Sequence, residues 1–341
     1  MRILIATDAW HPQINGVVRT LTALREHLAL LGADVHFLSP EGFRSFPAPS
    51  YPELRLAIPD PSEIARRIEA VRPDAIHIAT EGPIGIGVRR YCRRRGLPFT
   101  TSFMTKFPEY ISVRFGVPET LLYWALRRFH AAARMTMVST RSLVTELRGR
   151  GFRKIGMWTR GVDTELFQPI ENPVLDLPRP IFLSMGRIAV EKNLPAFLDL
   201  DLPGSKVIIG DGPQLPELRH RYPDVHFLGA MSGERLAAHL ASADVFVFPS
   251  RTDTFGIVQL EALACGVPVA AFPVTGPVDV LAGTDVGALD QDLGLACHAA
   301  LGLSRRACRD FALTRSWNRS ARQFLRNVGH AAIRPTPRLA A

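Results

Sequence analysis

Lysine is scarce in this chain: four lysines stand beside 37 arginines in 341 residues. So lopsided a ratio reads as a composition bias, and no nucleic-acid reading motif accompanies it, so a nucleic-acid partner is not expected. Cysteine is equally rare. Cys92, Cys265, Cys297 and Cys308 lie far apart with no CxxC spacing and no neighbouring histidines, which argues against a zinc site or a disulfide framework and leaves reduced, buried thiols. Long apolar runs are missing too. VFVFP (245–249) and VPVAAF (267–272) fall well short of the roughly 20 residues a membrane-spanning helix needs. No basic leader with an apolar stretch and a cleavage site follows Met1, so a cytoplasmic location is expected. Short-period repeats and low-complexity tracts are absent.

What is present is a chain 47% hydrophobic and 21% charged, long enough to bury a large core and to form two domains. Its net charge of +9 is unevenly placed: residues 1–165 hold 24 Lys+Arg against 15 Asp+Glu, and residues 166–341 hold 17 of each. A basic half facing an anionic membrane gains about 1 kcal/mol per well-placed cation, so peripheral attachment is one reading and a solvated surface the other.

Short strands rich in Val, Ile and Phe alternate with helical patterns: RILIA (2–6), VHFLS (35–39), LRLAI (54–58), AIHIA (75–79), FTTSF (99–103) and MTMVS (135–139). That alternation predicts a parallel, helix-covered sheet. It stops at Leu166–Pro180, where four prolines oppose regular structure and a linker is expected. It restarts with IFLSMG (181–186), KVIIG (206–210), VHFLG (225–229), VFVFP and VPVAAF, then turns helical, ending in SWNRSARQFLRNVGH (316–330) and a tail, RPTPRLAA, expected to fray. The expectation is an α/β chain of two Rossmann-like domains, residues 1–166 with the terminal helix packing back, and residues 167–315. Ligands of such sheets bind at the carboxyl ends of the strands, so a site in a cleft between two domains would draw on both.

Several segments carry candidate chemistry. Asn15–Gly16 makes a turn just before a helix starting near Val17, and a glycine at a helix N-terminus lets backbone approach a phosphate or sugar. In SMGRIAVEKN, Arg187 follows a strand and Lys192 comes five residues later, a pair suited to a diphosphate. GDGP and the Gly229–Ala230–Met231 loop follow the next two strands. In SRTDTFGIVQLEALACG, Asp253 lies at or before the N-terminus of a helix opening near Phe255–Gly256, and Glu261 lies eight residues on. Asp253 also suits a plain N-cap. Glu261 on an apolar face is harder to explain structurally, since an unpaired buried carboxylate is costly.

The order NGVVR, RGVD, GRIAVEKN, GDGP, FLGAMS and SRTDTFGIVQLEALACGVPV resembles the retaining GT-B glycosyltransferases of the group 1, or family four, type, over about residues 1–282. The resemblance implies that Arg187 and Lys192 clamp the diphosphate of a nucleotide sugar, that Gly229, Ala230 and Met231 hold the base, and that Glu261 binds the ribose. It implies that Asp253, replacing the first glutamate of E-x7-E, contacts sugar hydroxyls, with Thr254, Phe255 and Gly256 lining the sugar pocket and Gly16 approaching from the other domain. Asp253, Arg187 and Lys192 are the implied catalytic set, with no cofactor and no metal. On the acceptor side, His77 and Glu81–Gly82 would sit on the inner rim. Met104 in TTSFMTKFPEY stands where the family carries a histidine, and cannot replace it as a hydrogen-bond donor; Thr105, Lys106 and His11 are candidate substitutes.

SFMTKFPEYISVRFGVP, W-x-R-GVD and TDTFG resemble the bacterial subset that glycosylates diacylglycerol and related lipids, with mannosyl- and sulfoquinovosyl-transferring relatives. The implied partners are a nucleotide sugar and a lipid acceptor at an anionic membrane surface, with RRYCRRR (89–95) and ETLLYWALRRF (119–129) as the docking face. A soluble or polysaccharide acceptor, and a nucleotide-sugar binder without turnover, are the alternatives.

Overall fold

The computed structural model of the chain describes residues 1–13, 15–48 and 51–333, so the tail RPTPRLAA lies outside the described residues. The chain folds as two units, Met1–Thr159 with Trp317–Ala341, and Arg160–Ser316.

The first unit contains strands β1 (Arg2–Ala6), β2 (Asp34–Leu38), β3 (Ser45–Ala48), β4 (Tyr51–Ala57), β5 (Ala75–Ile78), β6 (Thr100–Ser102), β7 (Met135–Val138) and β8 (Ile155–Met157). Its helices are α1 (Gly16–Leu30), α2 (Pro61–Val71), α3 (Pro83–Arg95), α4 (Phe107–Phe115), α5 (Glu119–His130) and α6 (Arg141–Gly149). Six strands form one parallel sheet in the order β2-β1-β5-β6-β7-β8. Helices cover both faces, which is why β1 is apolar from Ile3 to Ala6: Ile3 and Ile5 enter one core cluster, Leu4 and Ala6 the other. The segment LRLAI does not join this sheet. It falls in β4, which pairs antiparallel with β3 in a separate hairpin. Pro47 and Pro52 have no backbone N–H to donate to a ladder, and a two-stranded edge pairing tolerates that where a central strand does not.

The second unit holds β9 (Ile181–Met185), β10 (Ser205–Ile209), β11 (His226–Phe227), β12 (Val245–Phe248), β13 (Val269–Ala271) and β14 (Gly287–Leu289). Its helices are α7 (Pro195–Leu198), α8 (Leu215–Arg221), α9 (Gly233–Ala241), α10 (Ile257–Ala264), α11 (Pro277–Leu281), α12 (Leu293–Leu301) and α13 (Arg305–Leu313). The sheet is again parallel, in the order β11-β10-β9-β12-β13-β14. Phe246 and Phe248 enter one cluster, and Val245 and Val247 the other.

The chain leaves the first unit at Thr159, ahead of the proline-rich stretch 166–180 where the sequence predicts the linker. That stretch belongs to the second unit: Phe167 is buried, and Leu166, Ile170, Leu175 and Leu177 pack on the same core. Its prolines prevent regular structure, yet the apolar residues between them still bury.

The last helix, α14 (Trp317–Gly329), belongs to the first unit and lies against α1. Its buried residues, Trp317, Ser320, Ala321, Phe324 and Val328, recur at helical spacing on one face. Burying Phe324 completely contributes about 2–3 kcal/mol. Polar ties fix the helix in place: Trp158 Nε1 donates to Ser320 Oγ at 3.1 Å, and Asn327 Nδ2 donates to the Met157 carbonyl at 2.8 Å.

Candidate functional site

In the second sheet the strand order reverses between β9 and β12, and the loops leaving these two strands flank the crevice where open α/β sheets bind ligands. The loop after β9 runs from Gly186 to a 3-10 turn at Val190–Lys192 and ends on Asn193 in the left-handed conformation. The loop after β12 runs from Pro249 to Gly256, the N-cap of α10. Backbone and side chains stitch them together. Asn193 Nδ2 donates to the Pro249 carbonyl at 3.1 Å, and the hydroxyls of Ser250 and Thr252 donate to the Glu191 carbonyl at 3.2 and 3.3 Å. Lys192 Nζ closes the seam, donating to Asp253 Oδ1 and Oδ2 at 2.7 and 2.8 Å. A small hollow opens there, lined by Met185, Gly186, Arg187, Lys192 and Ser250.

GDGP belongs to the same construction. Ile188 N–H donates to the Asp211 carbonyl at 2.8 Å, and Gly186 N–H to that of Ile209 at 2.9 Å. The two backbones lie so close that a Cβ on Gly210 would sit 1.8 Å from the Gly186 carbonyl oxygen. Gly210 N–H in turn donates to the Gly229 carbonyl at 2.9 Å, which ties the 229–231 loop to the row. Ala230 is exposed there, and Met231 is half-buried against the core.

Asp253 is therefore not an N-cap: Gly256, with φ of 76°, occupies that position, and Asp253 is spent on Lys192. Thr254 and Phe255 are half-buried in the same loop, and Glu261 is buried within α10. Sequence reasoning does not single out Gln259. Completely buried, it donates from Nε2 to the Phe255 carbonyl at 2.8 Å, so it braces the 253–256 loop from beneath. Two D-x-D spacings, Asp199/Asp201 and Asp290/Asp292, carry structural duties: Asp199 accepts from the Tyr222 hydroxyl at 2.6 Å, and Asp292 caps α12. Among the described residues no group of three or more His, Cys, Asp or Glu side chains could hold a metal ion.

In the first unit the strand order reverses between β1 and β5. Asn15 caps α1, its Oδ1 accepting from Val17 and Val18 N–H at 3.0 Å each, and Gly16 begins the helix. His11 is exposed on the same loop, with Nε2 3.4 Å from Thr22 Oγ1. Asp8, which no sequence motif marks, joins the two loops: it accepts from Thr80 Oγ1 and Ile84 N–H at 2.7 Å each and from Gly85 N–H at 3.3 Å. Burial pushes its carboxyl above the ordinary carboxylate range, although these hydrogen bonds act the other way. Glu81, almost fully buried, lies 3.1 Å from Nε2 of His130, whose Nδ1 is 2.9 Å from Thr101 Oγ1.

Three candidates for the acceptor side are placed elsewhere by the fold. His77 is not on a rim. It is fully buried in β5, its nitrogens 2.8 Å from Thr100 Oγ1 and 2.9 Å from Ser102 Oγ, its ring edge-on to Trp158 and Phe324. Met104 is buried in the same core cluster as Trp158 and Phe324. Lys106 is buried and committed to Glu146 Oε2 at 2.8 Å, beside Glu109, so it is no freely placed substitute for a histidine. Of the large apolar residues in ETLLYWALRRF, Tyr123 and Phe129 are core residues, whereas Leu121 and Trp124 are 56% and 50% exposed. These two share a face of α5 with Arg128, whose guanidinium lies 5.9 Å from the Trp124 ring centre. Phe107 and Phe115 of α4 are exposed as well. Among the described residues no helix is long and apolar enough to cross a membrane.

Two parallel six-stranded sheets, each with its loops gathered at a switch point, define an α/β chain of the GT-B class. Known proteins agree on the family. Residues 14–166 match the model described as Glycosyltransferase Family 4, and residues 179–293 the model described as Glycosyl transferases group 1. A GDP-mannose-dependent alpha-mannosyltransferase of Mycobacterium tuberculosis is 31% identical, covering 85% of this chain and 83% of that protein. Alpha-monoglucosyldiacylglycerol synthase of Streptococcus pneumoniae is 24% identical over 80% of this chain and 71% of its own length. Among solved structures, sucrose-phosphate synthase from Thermosynechococcus elongatus superposes with a TM-score of 0.79 at 20% identity, covering 96% of this chain and 98% of that one. Anabaena HepE in complex with UDP-glucose gives 0.71 at 15% identity, covering 96% and 99%. The chain belongs to the group 1, family 4 glycosyltransferases.

Proposed function

We propose that this chain is a retaining, metal-independent hexosyltransferase that moves a sugar from a nucleoside diphosphate to a membrane lipid such as diacylglycerol. The observation that carries the donor half is the hollow holding Arg187 and Lys192 at the switch point of the second sheet. Two cations among close-laid backbone suit a diphosphate, and fixed charge aimed at a leaving group is the largest common source of rate enhancement. The base would lie toward Gly229, Ala230 and Met231, the ribose toward Glu261, and the sugar toward Asp253, Thr254, Phe255 and Gly256. The acceptor hydroxyl attacks the anomeric carbon on the face the diphosphate leaves, the C–O bond to the diphosphate breaks, and the diphosphate takes the hydroxyl proton. That route asks no side chain to titrate, in keeping with the burial of His77 and Met104.

The lipid half rests on the exposed Leu121 and Trp124 beside Arg128, with Phe115 exposed on α4, a composition suited to shallow insertion into an anionic, inner-face membrane. Names among the relatives support the same reading: one is a monoglucosyldiacylglycerol synthase, and another depends on GDP-mannose. The test incubates purified protein with radiolabelled GDP-mannose or UDP-glucose and diacylglycerol in anionic vesicles, with EDTA present. Label in the organic phase, carried in an α-linkage, is expected. Label only in a water-soluble product would replace the lipid acceptor with a soluble one, and nucleotide binding without any product would leave a binding protein.

A further inference from the structure

The ammonium of Lys192 is already balanced. Both Asp253 oxygens hold it, in a pair only 26% and 19% exposed, and the seam from Asn193 to Pro249 and from Ser250 and Thr252 to Glu191 keeps the partners facing each other. Lys192 also lines the hollow where an anion would sit. An incoming phosphate therefore meets a cation that already carries an anion. Two negative groups about 5 Å apart around one ammonium repel each other strongly in a partly desolvated site. A carboxylate on a loop can swing aside, whereas the lysine's backbone is held in a 3-10 turn.

We propose that Asp253 is an internal competitor for the phosphate site: it holds Lys192 and is displaced when the diphosphate of a nucleotide binds. The pair acts as a latch, a role that rests on the donor reading above. Its opening frees a carboxylate only when phosphate has arrived, so the loop 253–256 changes its hydrogen bonding in response to donor. Removing the competitor has an effect opposite to that of removing an ordinary binding residue. Asp253→Asn keeps the shape, surrenders the charge, and leaves Lys192 available to phosphate.

The test is a calorimetric titration of the full chain with UDP and with GDP, for wild type, Asp253→Asn, Lys192→Met and the double variant, each first checked by thermal unfolding. Asp253→Asn is expected to bind the preferred diphosphate roughly two- to fivefold more tightly than wild type. Lys192→Met binds it more weakly, and in the Lys192→Met background the asparagine brings no gain, because the latch has lost its other half. A crystal structure with the diphosphate is expected to show Asp253 withdrawn from Lys192 Nζ. Equal or weaker binding by Asp253→Asn, while wild type binds, would overturn the latch and leave the donor site standing. If neither diphosphate binds wild type or variants, the donor reading and the latch fall together. Should Asp253→Asn fold poorly, the crystal structure of the wild type decides: an intact bidentate pair beside bound diphosphate overturns the proposal.

Discussion

Gly210→Ala is the substitution whose effect follows most directly from the geometry. Gly210 has φ of 148°, and its missing Cβ would lie 1.8 Å from the Gly186 carbonyl oxygen, where real Cβ contacts keep beyond 3.0 Å. The obstacle is backbone on both sides, so no side chain can rotate away; the loops after β9 and β10 must separate by more than an ångström. Two backbone hydrogen bonds beside Gly210 hold them where they are: Gly186 N–H to the Ile209 carbonyl and Ile188 N–H to the Asp211 carbonyl. Each contributes about 1 kcal/mol net, and overpacking adds a cost of similar size, so the expected destabilisation is about 3 kcal/mol. For a unit of this size that lowers the melting temperature by roughly 6–12 °C. Because Gly186 and Arg187 line the hollow, the variant should also lose at least tenfold in affinity for UDP or GDP at a temperature where it remains folded. Urea and thermal unfolding of wild type and Gly210→Ala measure the first effect, and calorimetry the second. An unfolding free energy within about 0.5 kcal/mol of wild type would refute the reasoning, since it would mean the loops are not pressed together at all.

Gly16→Ala should behave in the opposite way: nothing lies within 4 Å of its added Cβ, so stability stays level or rises by about 0.4–1 kcal/mol, while a steady-state assay shows transfer reduced at least tenfold if donor or acceptor passes over that backbone. Met104→His buries an imidazole in the cluster of Trp158 and Phe324, and should cost about 1–3 kcal/mol in urea unfolding without raising the transfer rate. Asp8→Asn reports on pH. Burial holds the Asp8 carboxyl above its unfolded value, so its favourable contribution is full below the unfolded pKa and is lost as pH rises through the folded one. Stability measured by denaturant from about pH 3 upward should therefore lose that descending component in the asparagine variant; a curve unchanged by the substitution would show that Asp8 does not supply it.

How far the sequence discloses this molecule depends on what each signal measures. Strands buried on both faces write continuous apolar runs, so β1, β5, β9, β12 and β13 are legible at once. The edge strands β8 and β14 are not, because Ile155–Met157 and Gly287–Leu289 are only half-buried and no continuous apolar run marks them. LRLAI has strand composition, but composition says nothing about which partner a strand takes, and β4 pairs with β3 rather than with the sheet. At the site, residue types are legible and pairings are not. Arg187, Lys192 and Asp253 can each be singled out, but that Lys192 and Asp253 hold one another depends on a reversal of strand order that brings residues 61 apart in sequence into contact.

Rarity is a poor guide among the lysines. Lys192 draws attention as one of four, yet Lys106 is bound to Glu146, Lys206 donates to the carbonyls of Leu198 and Leu200, and Lys154 reaches the Ala133 carbonyl. Every lysine in the chain has a fixed partner, so scarcity marks positions where a compact, flexible cation fits and not positions where chemistry happens. His77 carries the sharper lesson, because the sequence already contains the means to place it. AIHIA reads as a strand of a parallel sheet with helices on both faces, and in such a sheet alternate residues point to opposite sides, both of them buried. A histidine in the middle of that run has no route to the strand's carboxyl end, whatever its chemistry. It must find hydrogen bonds inside the core, and Thr100 and Ser102 on the adjacent strand supply them. The residues that do reach the carboxyl ends are those just past the strands, such as Asp8 after β1, Glu81 after β5 and Arg187 after β9. Position relative to the strand's end therefore ranks candidates better than residue type does, and by that criterion Asp8 outranks His77 from the sequence alone.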